Sequence, residues 1–328
     1  MLRQDTQGLR ADVRTYAQFF QAHTIVVVPL DIKNVEDVKA VEISIHLEYI
    51  NPAYAKRSRI NFLMVNHEYF GLRATRAFIA KQMDLADGVL LKTRVAGLSL
   101  RRSGFNGRLH YTRHTSPVPH SLGTRMDFNR LLHFAGRSNW KQTDAIMRAW
   151  LACVPGKLPP ICIVCHSTCL ESIRRYVKRN DLARLKSRGV TLIKVPVSDA
   201  DMWTLKSTHG IHLCPSIVEG YGHYINEARG LGALVVTVDA PPMNELIGPE
   251  SGVLVPCDRL VPKPQSDALP VDMCILDPGS VRSAVERVFR MTTNERAALG
   301  KAARKNYCND TRFFKEKMRC ILNGLPGP

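Results

Sequence analysis

The stretch IHLCPSIVEGYGHYINEARGLGALVVTVDAPPMNELIGPESGVLV, residues 211–255, decides how the rest of the chain is read. Its opening IHLC is a short apolar run that predicts a strand. The PSIVEGYG that follows carries Pro and two Gly, the composition of a loop. A helix is expected from residue 222 or 223 until Gly230 and Gly232 stop it. The run ALVVTV, 233–238, is apolar almost throughout, as a parallel strand buried on both faces must be. A turn over 239–244, a short helix and a third strand at 252–255 complete a doubly wound α/β pattern.

Glu219 and Glu227 bracket the first loop with seven residues between them. One precedes the helix and the other lies about a turn inside it, so both can face the crevice above the strand ends, where open α/β sheets bind ligands. Gly220 and Gly222 let backbone N–H groups approach a ligand closely, and a helix N-terminus favours an anion. Bare amides for phosphate beside carboxylates for hydroxyl groups suit a sugar nucleotide.

These residues resemble the nucleotide-sugar-binding half of GT-B fold glycosyltransferases, in particular the retaining family 4 type with its E-x7-E motif. Pro215, Ser216, Glu219, Gly220, Tyr221, Gly222, Glu227, Ala228, Gly232, Val235, Val236, Thr237 and Glu245 stand in the places of that motif. The resemblance implies an α/β chain of two doubly wound Rossmann-like domains facing a cleft. It implies a donor site lined by Gly220, Tyr221, Gly222 and Glu227, with Glu219 acting on the sugar. Where family members often carry two glycines, this chain has Pro241 and Pro242. Proline has no N–H, so the donors expected there are those of Met243 and Asn244.

Upstream, an expected strand at 131–135 leads into Gly136-Arg137-Ser138-Asn139-Trp140-Lys141. The family has a similar G-R-x-x-x-x-K-G segment whose cations neutralise the donor diphosphate. Here the spacing is one residue shorter and Gln142 replaces the last Gly. Arg137 offers a planar fork and Lys141 a mobile point charge, a reasonable pair for two phosphates. A solvated strand-to-helix turn is the plainer alternative.

The amino-terminal half resembles the family by pattern only. Residues 9–20 have helical apolar spacing, and strands are expected at 23–30, 41–46, 60–65, 87–92 and 108–113. In such enzymes the first helix follows a first strand, and that strand is expected to be missing ahead of this helix. After the run at 60–65 come His67 and Glu68, on the crevice side of a sheet. Both are candidates for approaching the transferred sugar and the acceptor, against a plain turn and helix cap. Residues 114–127, HTSPVPHSLGTRMD, lack periodicity and read as a linker region, with Thr115 and Ser116 expected to border the cleft or to cap a turn. The domains expected are 1–116 on the acceptor side, a linker at 117–127, the nucleotide-sugar domain at 128–308, and a helix at 309–328 crossing back to the first domain.

The 328 residues leave room for two domains, and 45% hydrophobic with 23% charged residues describes a folded globular chain. No apolar run approaches the ~20 residues of a membrane span, and the polar first residues predict no signal peptide. Nine scattered cysteines are read as reduced thiols in a cytoplasmic protein. The run CIVCHSTC, 162–169, invites a metal reading, but neighbouring residues of a strand point to opposite faces, so small buried thiols are expected and no metal.

The net charge of +17 exceeds what a pyrophosphate requires. From Gly88 to Met126 there are seven basic residues, Lys92, Arg94, Arg101, Arg102, Arg108, Arg113 and Arg125, and no acid. A solvated basic face, an anionic membrane surface with peripheral attachment, a phosphorylated acceptor and nucleic acid each fit such a block.

The leading expectation is metal-independent transfer of a sugar, with retention, from a nucleotide diphosphate to a carbohydrate, lipid-linked or other hydroxyl acceptor. No cofactor beyond the donor substrate is expected. The alternatives are a basic GT-B binding protein that no longer catalyses, and a glycosyltransferase acting on DNA bases.

Overall fold

The computed structural model describes residues 7–20, 36, 38–66, 68, 76–119, 125–262 and 272–324. The chain divides into two compact units. One comprises Met1–Pro117, Pro262–Val271 and Asn309–Pro328, and the other Val118–Val261 and Asp272–Cys308.

The first unit holds a parallel sheet of β1 (Val41–Leu47), β2 (Ser58–Val65), β3 (Gly88–Leu91) and β4 (Leu109–Tyr111), in that spatial order. Strand alternation sorts the side chains of β2 between two cores. Leu63 and Val65 pack with Ile50, Val89 and Leu100. Ile60, Phe62 and Met64 pack instead with Tyr16 of the helix Gln7–Phe19 and with Phe314, Met318 and Ile321. The helix Arg94–Arg102 follows β3, and the Thr93 side chain caps it by accepting from Ala96 N–H at 3.4 Å. It buries Ala96 and Leu100 and leaves Arg94, Arg101 and Arg102 outside.

A buried ionic cluster ties that first helix to the ends of β3 and β4. Asp12 accepts from Lys92 Nζ at 3.0 Å and pairs with His114 Nε2 at 2.7 Å, and all three side chains are 3% exposed or less. Of the seven basic residues between Gly88 and Met126, Lys92 is thus buried and belongs to no solvated basic face. Arg113 is likewise engaged, with Asp310 at 2.7 Å and over the Phe313 ring at 4.9 Å.

The second unit is built on six parallel strands, β5 (Asp127–Gly136), β6 (Ile161–Cys165), β7 (Val190–Lys194), β8 (His209–Cys214), β9 (Leu234–Val238) and β10 (Gly252–Val255). Their spatial order is β10-β9-β8-β5-β6-β7. The chain winds outward from β5 to β7, returns to the other side of β5 as β8, and winds out again to β10. The winding reverses between β5 and β8, and such a switch point opens a crevice beyond the carboxyl ends of the two strands. In β6, Ile161, Ile163 and Cys165 join the main core, while Cys162 and Val164 join a smaller one with Leu132 on the opposite face. Burial pushes the Cys162, Cys165 and Cys169 thiols up, Cys165 to about 12.

Beyond β10, β11 (Arg259–Pro262) pairs with β12 (Asp272–Ile275) in a two-stranded sheet. The helix expected at 309–328 is part of a longer one, Thr293–Asn323. No Gly or Pro stands at 308–310 to break it, and Asp310 is held by Arg113. The strand expected at 23–30, the turn at His67 and linker positions 120–124 lie outside the described residues. Among the described residues no helix is long and apolar enough to cross a membrane.

Candidate functional site

The two segments singled out for chemistry leave the sheet at its switch point. Residues 137–141 follow β5 and residues 215–222 follow β8. The backbones join where Ile217 N–H donates to Trp140 C=O at 2.7 Å. This brings Lys141 onto Glu219, two residues 78 positions apart. Their side chains are 13% and 12% exposed.

Ser216 wires the pair into the protein. Its buried hydroxyl donates to Glu219 Oε1 at 2.5 Å. Having one proton, it must then accept from its other neighbours: Tyr224 O–H at 2.5 Å and Lys141 Nζ at 3.4 Å. Lys141 Nζ also lies 3.6 Å from the centre of the Tyr224 ring, a cation over a π face. Burial, with Cys214 and the Glu219 carboxylate behind it, pushes the Tyr224 phenol well above its usual range, so it remains a hydrogen-bond donor.

Behind Lys141 stands His133 of β5, fully buried. Its Nδ1 lies 2.9 Å from Leu213 C=O, a pure acceptor, so Nδ1 carries the proton. Nε2 then accepts from the Thr143 hydroxyl at 2.9 Å. Burial first, and the Lys141 ammonium second, push the imidazole down to about 4. A neutral histidine adds no charge against Lys141.

Gln142 accounts for one departure from the family pattern. It adopts φ +50° and ψ +38°, a left-handed conformation in which glycine is favoured. Its side chain offsets the strain with two hydrogen bonds to the strand across the core. Nε2 donates to Cys274 C=O at 3.1 Å, and Oε1 accepts from Leu276 N–H at 2.7 Å. A glycine would turn there freely but could not make either bond.

Glu227 occupies the helix His223–Leu231, which starts after Gly222 at φ +98°. Its Oε2 lies 2.6 Å from Lys206 Nζ. Lys206 comes from the helix Asp199–Thr208, and its ammonium is 4.6 Å from the Phe134 ring and 5.0 Å from that of Trp203. Sequence reading missed Lys206. The available signal was a lysine inside the apolar run Met202, Trp203 and Leu205.

The remaining expected residues are placed as follows. Arg137 is exposed at the mouth of the 137–141 turn and makes no ion pair among the described residues. Gly220 and Gly222 are buried, and the Tyr221 ring is core, 5.1 Å from that of His223. Asn244 N–H is already taken by Ala240 C=O at 3.2 Å, and its side chain donates to Asp239 Oδ1 at 3.0 Å. Met243 is first in the helix Met243–Leu246, so its N–H has no intrahelical acceptor. Glu68, in the first unit, is half-buried just past β2, and His67 lies outside the described residues. Thr115 and Ser116 are buried, and Thr115 Oγ1 pairs with Thr311 Oγ1 at 2.7 Å.

No family model matches the sequence, and no curated protein matches it. Solved structures do. HepE from Anabaena, crystallised with UDP and glucose, superposes with a TM-score of 0.61 at 14% identity, over 83% of this chain and 75% of that one. Sucrose-phosphate synthase from Thermosynechococcus elongatus gives 0.59 at 14% identity, over 86% and 73%. The pneumococcal O-GlcNAc transferase GtfA, with UDP and GlcNAc, gives 0.59 at 14% identity, over 88% of this chain and 57% of its own length. Together with two parallel Rossmann-like sheets of four and six strands, these likenesses identify the fold of the chain as GT-B.

Proposed function

We propose that the protein is a retaining glycosyltransferase that takes its sugar from a nucleotide diphosphate. The observation that carries this reading is the Lys141–Ser216–Glu219–Tyr224 cluster at the β5/β8 switch point. A fixed cation beside a fixed carboxylate meets the two electrostatic demands of the reaction. Lys141, with the exposed Arg137, stabilises charge on the departing diphosphate, and Glu219 faces the positive charge that develops on the sugar ring.

In this reading Glu227 accepts hydrogen bonds from the donor ribose, while Gly220, Gly222 and Met243 supply close backbone approach or N–H donors. The bond between the anomeric carbon and the diphosphate breaks, and the acceptor oxygen bonds that carbon from the same face. The acceptor proton passes to the diphosphate. HepE held with UDP and glucose, and GtfA with UDP and GlcNAc, support a nucleoside diphosphate as the leaving group.

Incubating the protein with UDP-, GDP- and ADP-sugars without acceptor tests the reading through slow release of free sugar. Release from one nucleotide class, abolished in Lys141→Ala, is the expected result. No release from any donor, together with no nucleotide binding by calorimetry, would leave a basic GT-B binding protein.

On the acceptor side, Arg94, Arg101, Arg102 and Arg108 are exposed with no acid in that stretch of sequence. They support an acceptor presented at an anionic lipid surface by a cytoplasmic, peripherally attached enzyme. Sedimentation with phosphatidylserine vesicles, weakened by salt, is the expected behaviour. Duplex DNA binding with a steeper salt dependence would point to the nucleic-acid alternative.

A further inference from the structure

We infer that Lys206 is a positioning residue for the ribose end of the donor site, and that through Glu227 it makes the site discriminate ribose from deoxyribose. The inference rests on the proposed role of Glu227 as acceptor for the ribose hydroxyls. It adds a residue from a different helix, outside the E-x7-E segment.

Three observations carry it. Lys206 Nζ is 2.6 Å from Glu227 Oε2, and the two side chains are 5% and 15% exposed. The ammonium is enclosed on two further sides by the Phe134 and Trp203 rings. Its own backbone is pinned where His212 Nε2 donates to Lys206 C=O at 3.0 Å and to His209 C=O at 3.1 Å. The lysine also sits in the last turn of its helix, where the carbonyl end favours a cation. These neighbours hold the ammonium against Glu227.

A glutamate has three side-chain torsions, and freezing them on binding opposes affinity. With Lys206 fixed on Oε2, those torsions are frozen before a ligand arrives. A carboxylate offers about four acceptor positions, and Lys206 takes one. Oε1 and the second position on Oε2 remain for two neighbouring hydroxyls, the arrangement a ribose diol presents. A buried ion pair that only joins two helices can often be replaced by a well-packed apolar pair at little loss. The asymmetry in exposure, with the carboxylate more open than its cation, points to a second task for Glu227.

The test is calorimetric titration of UDP, GDP and ADP, and of their 2′-deoxy forms, into wild type and Lys206→Met. Lys206→Gln, which can still donate to Glu227, is the second variant and carries the comparison if near-UV circular dichroism shows that the methionine variant does not fold. For the nucleotide that wild type binds, Lys206→Met is expected to weaken the ribose form about tenfold. The 2′-deoxy form is expected to change less than about twofold, so that the discrimination collapses. Lys206→Gln is expected to fall between. Equal losses for ribose and deoxyribose forms, or no loss for either, would overturn the role while leaving the donor reading intact. Failure of wild type to bind any of the nucleotides would remove the donor reading, and this inference with it.

Discussion

The Ser216 hydroxyl lies 2.5 Å from Glu219 Oε1 and 2.5 Å from the Tyr224 phenol, and it can donate to only one of them. The carboxylate cannot donate, so the proton order runs from Tyr224 through Ser216 to Glu219. Glu219 is thereby held as an oriented anion, with Lys141 against the same oxygen. An interaction directed at charge that develops only during sugar departure is stronger in the transition state than in the bound donor. Glu219→Gln keeps size and removes charge, and kcat is expected to fall roughly ten- to a thousandfold with donor affinity little changed. Steady-state kinetics beside calorimetric nucleotide affinity check this, and near-normal turnover would make Glu219 a turn residue.

Arg137 and Lys141 are expected to act through the diphosphate. Replacing either with Ala should weaken nucleoside diphosphate binding much more than nucleoside binding, because charge-assisted contacts to phosphate are lost and base contacts are not. Comparable losses for both ligands would indicate a folding defect, which is the greater risk for Lys141 because it is wired to Ser216 and Glu219.

Glu227→Ala is expected to weaken nucleotide binding by ~1.5–3 kcal/mol, the range for hydrogen bonds to a charged group. The change also strands the Lys206 ammonium at 5% exposure, so a lower melting temperature should accompany it. Unchanged nucleotide affinity in calorimetry would exclude the ribose role.

Gln142→Gly relieves the left-handed strain but removes both hydrogen bonds to the 274–276 strand. Leaving a buried N–H and C=O unpaired costs about 1–3 kcal/mol each, more than the strain that is relieved. Denaturant unfolding should therefore show a destabilised protein, although the family pattern has glycine here. A stabilised Gln142→Gly protein would mean that the loop re-pairs those groups with water.

Acid should destabilise the second unit through its buried histidines. His133 is held down to about 4 and His212 to about 3, the first by burial and then Lys141, the second by burial and then Lys206. The unfolded chain takes up protons at these rings below about 6.5, whereas the folded unit stays neutral there. Stability is thus complete above about pH 6.5 and is lost as pH falls toward 4 and then 3, by up to roughly 3 kcal/mol for His133 and roughly 5 kcal/mol for His212. Thermal unfolding from pH 7.5 to 4.5 should show the fall, and His133→Gln should flatten it. An equally steep fall in that variant would assign it elsewhere.

The motif carried the fold because it is local. The alternation of apolar runs with Gly- and Pro-bearing turns over residues 211–255 specifies strand, loop, helix and strand through backbone geometry alone, and the carboxylates at 219 and 227 ride on it. The buried cysteines were legible for the same reason, since period-two alternation sends Cys162 and Cys165 to opposite faces of β6. What sequence could not supply were partners distant along the chain. That Lys206 neutralises Glu227, that Gln142 holds the strand 132 and 134 residues onward, and that Lys92 and His114 close on Asp12 depend on strand order and on which helix face meets the sheet. A charged residue reads in sequence as solvated until a counter-charge is known to share its burial, and only the tertiary packing brings that counter-charge within hydrogen-bond distance.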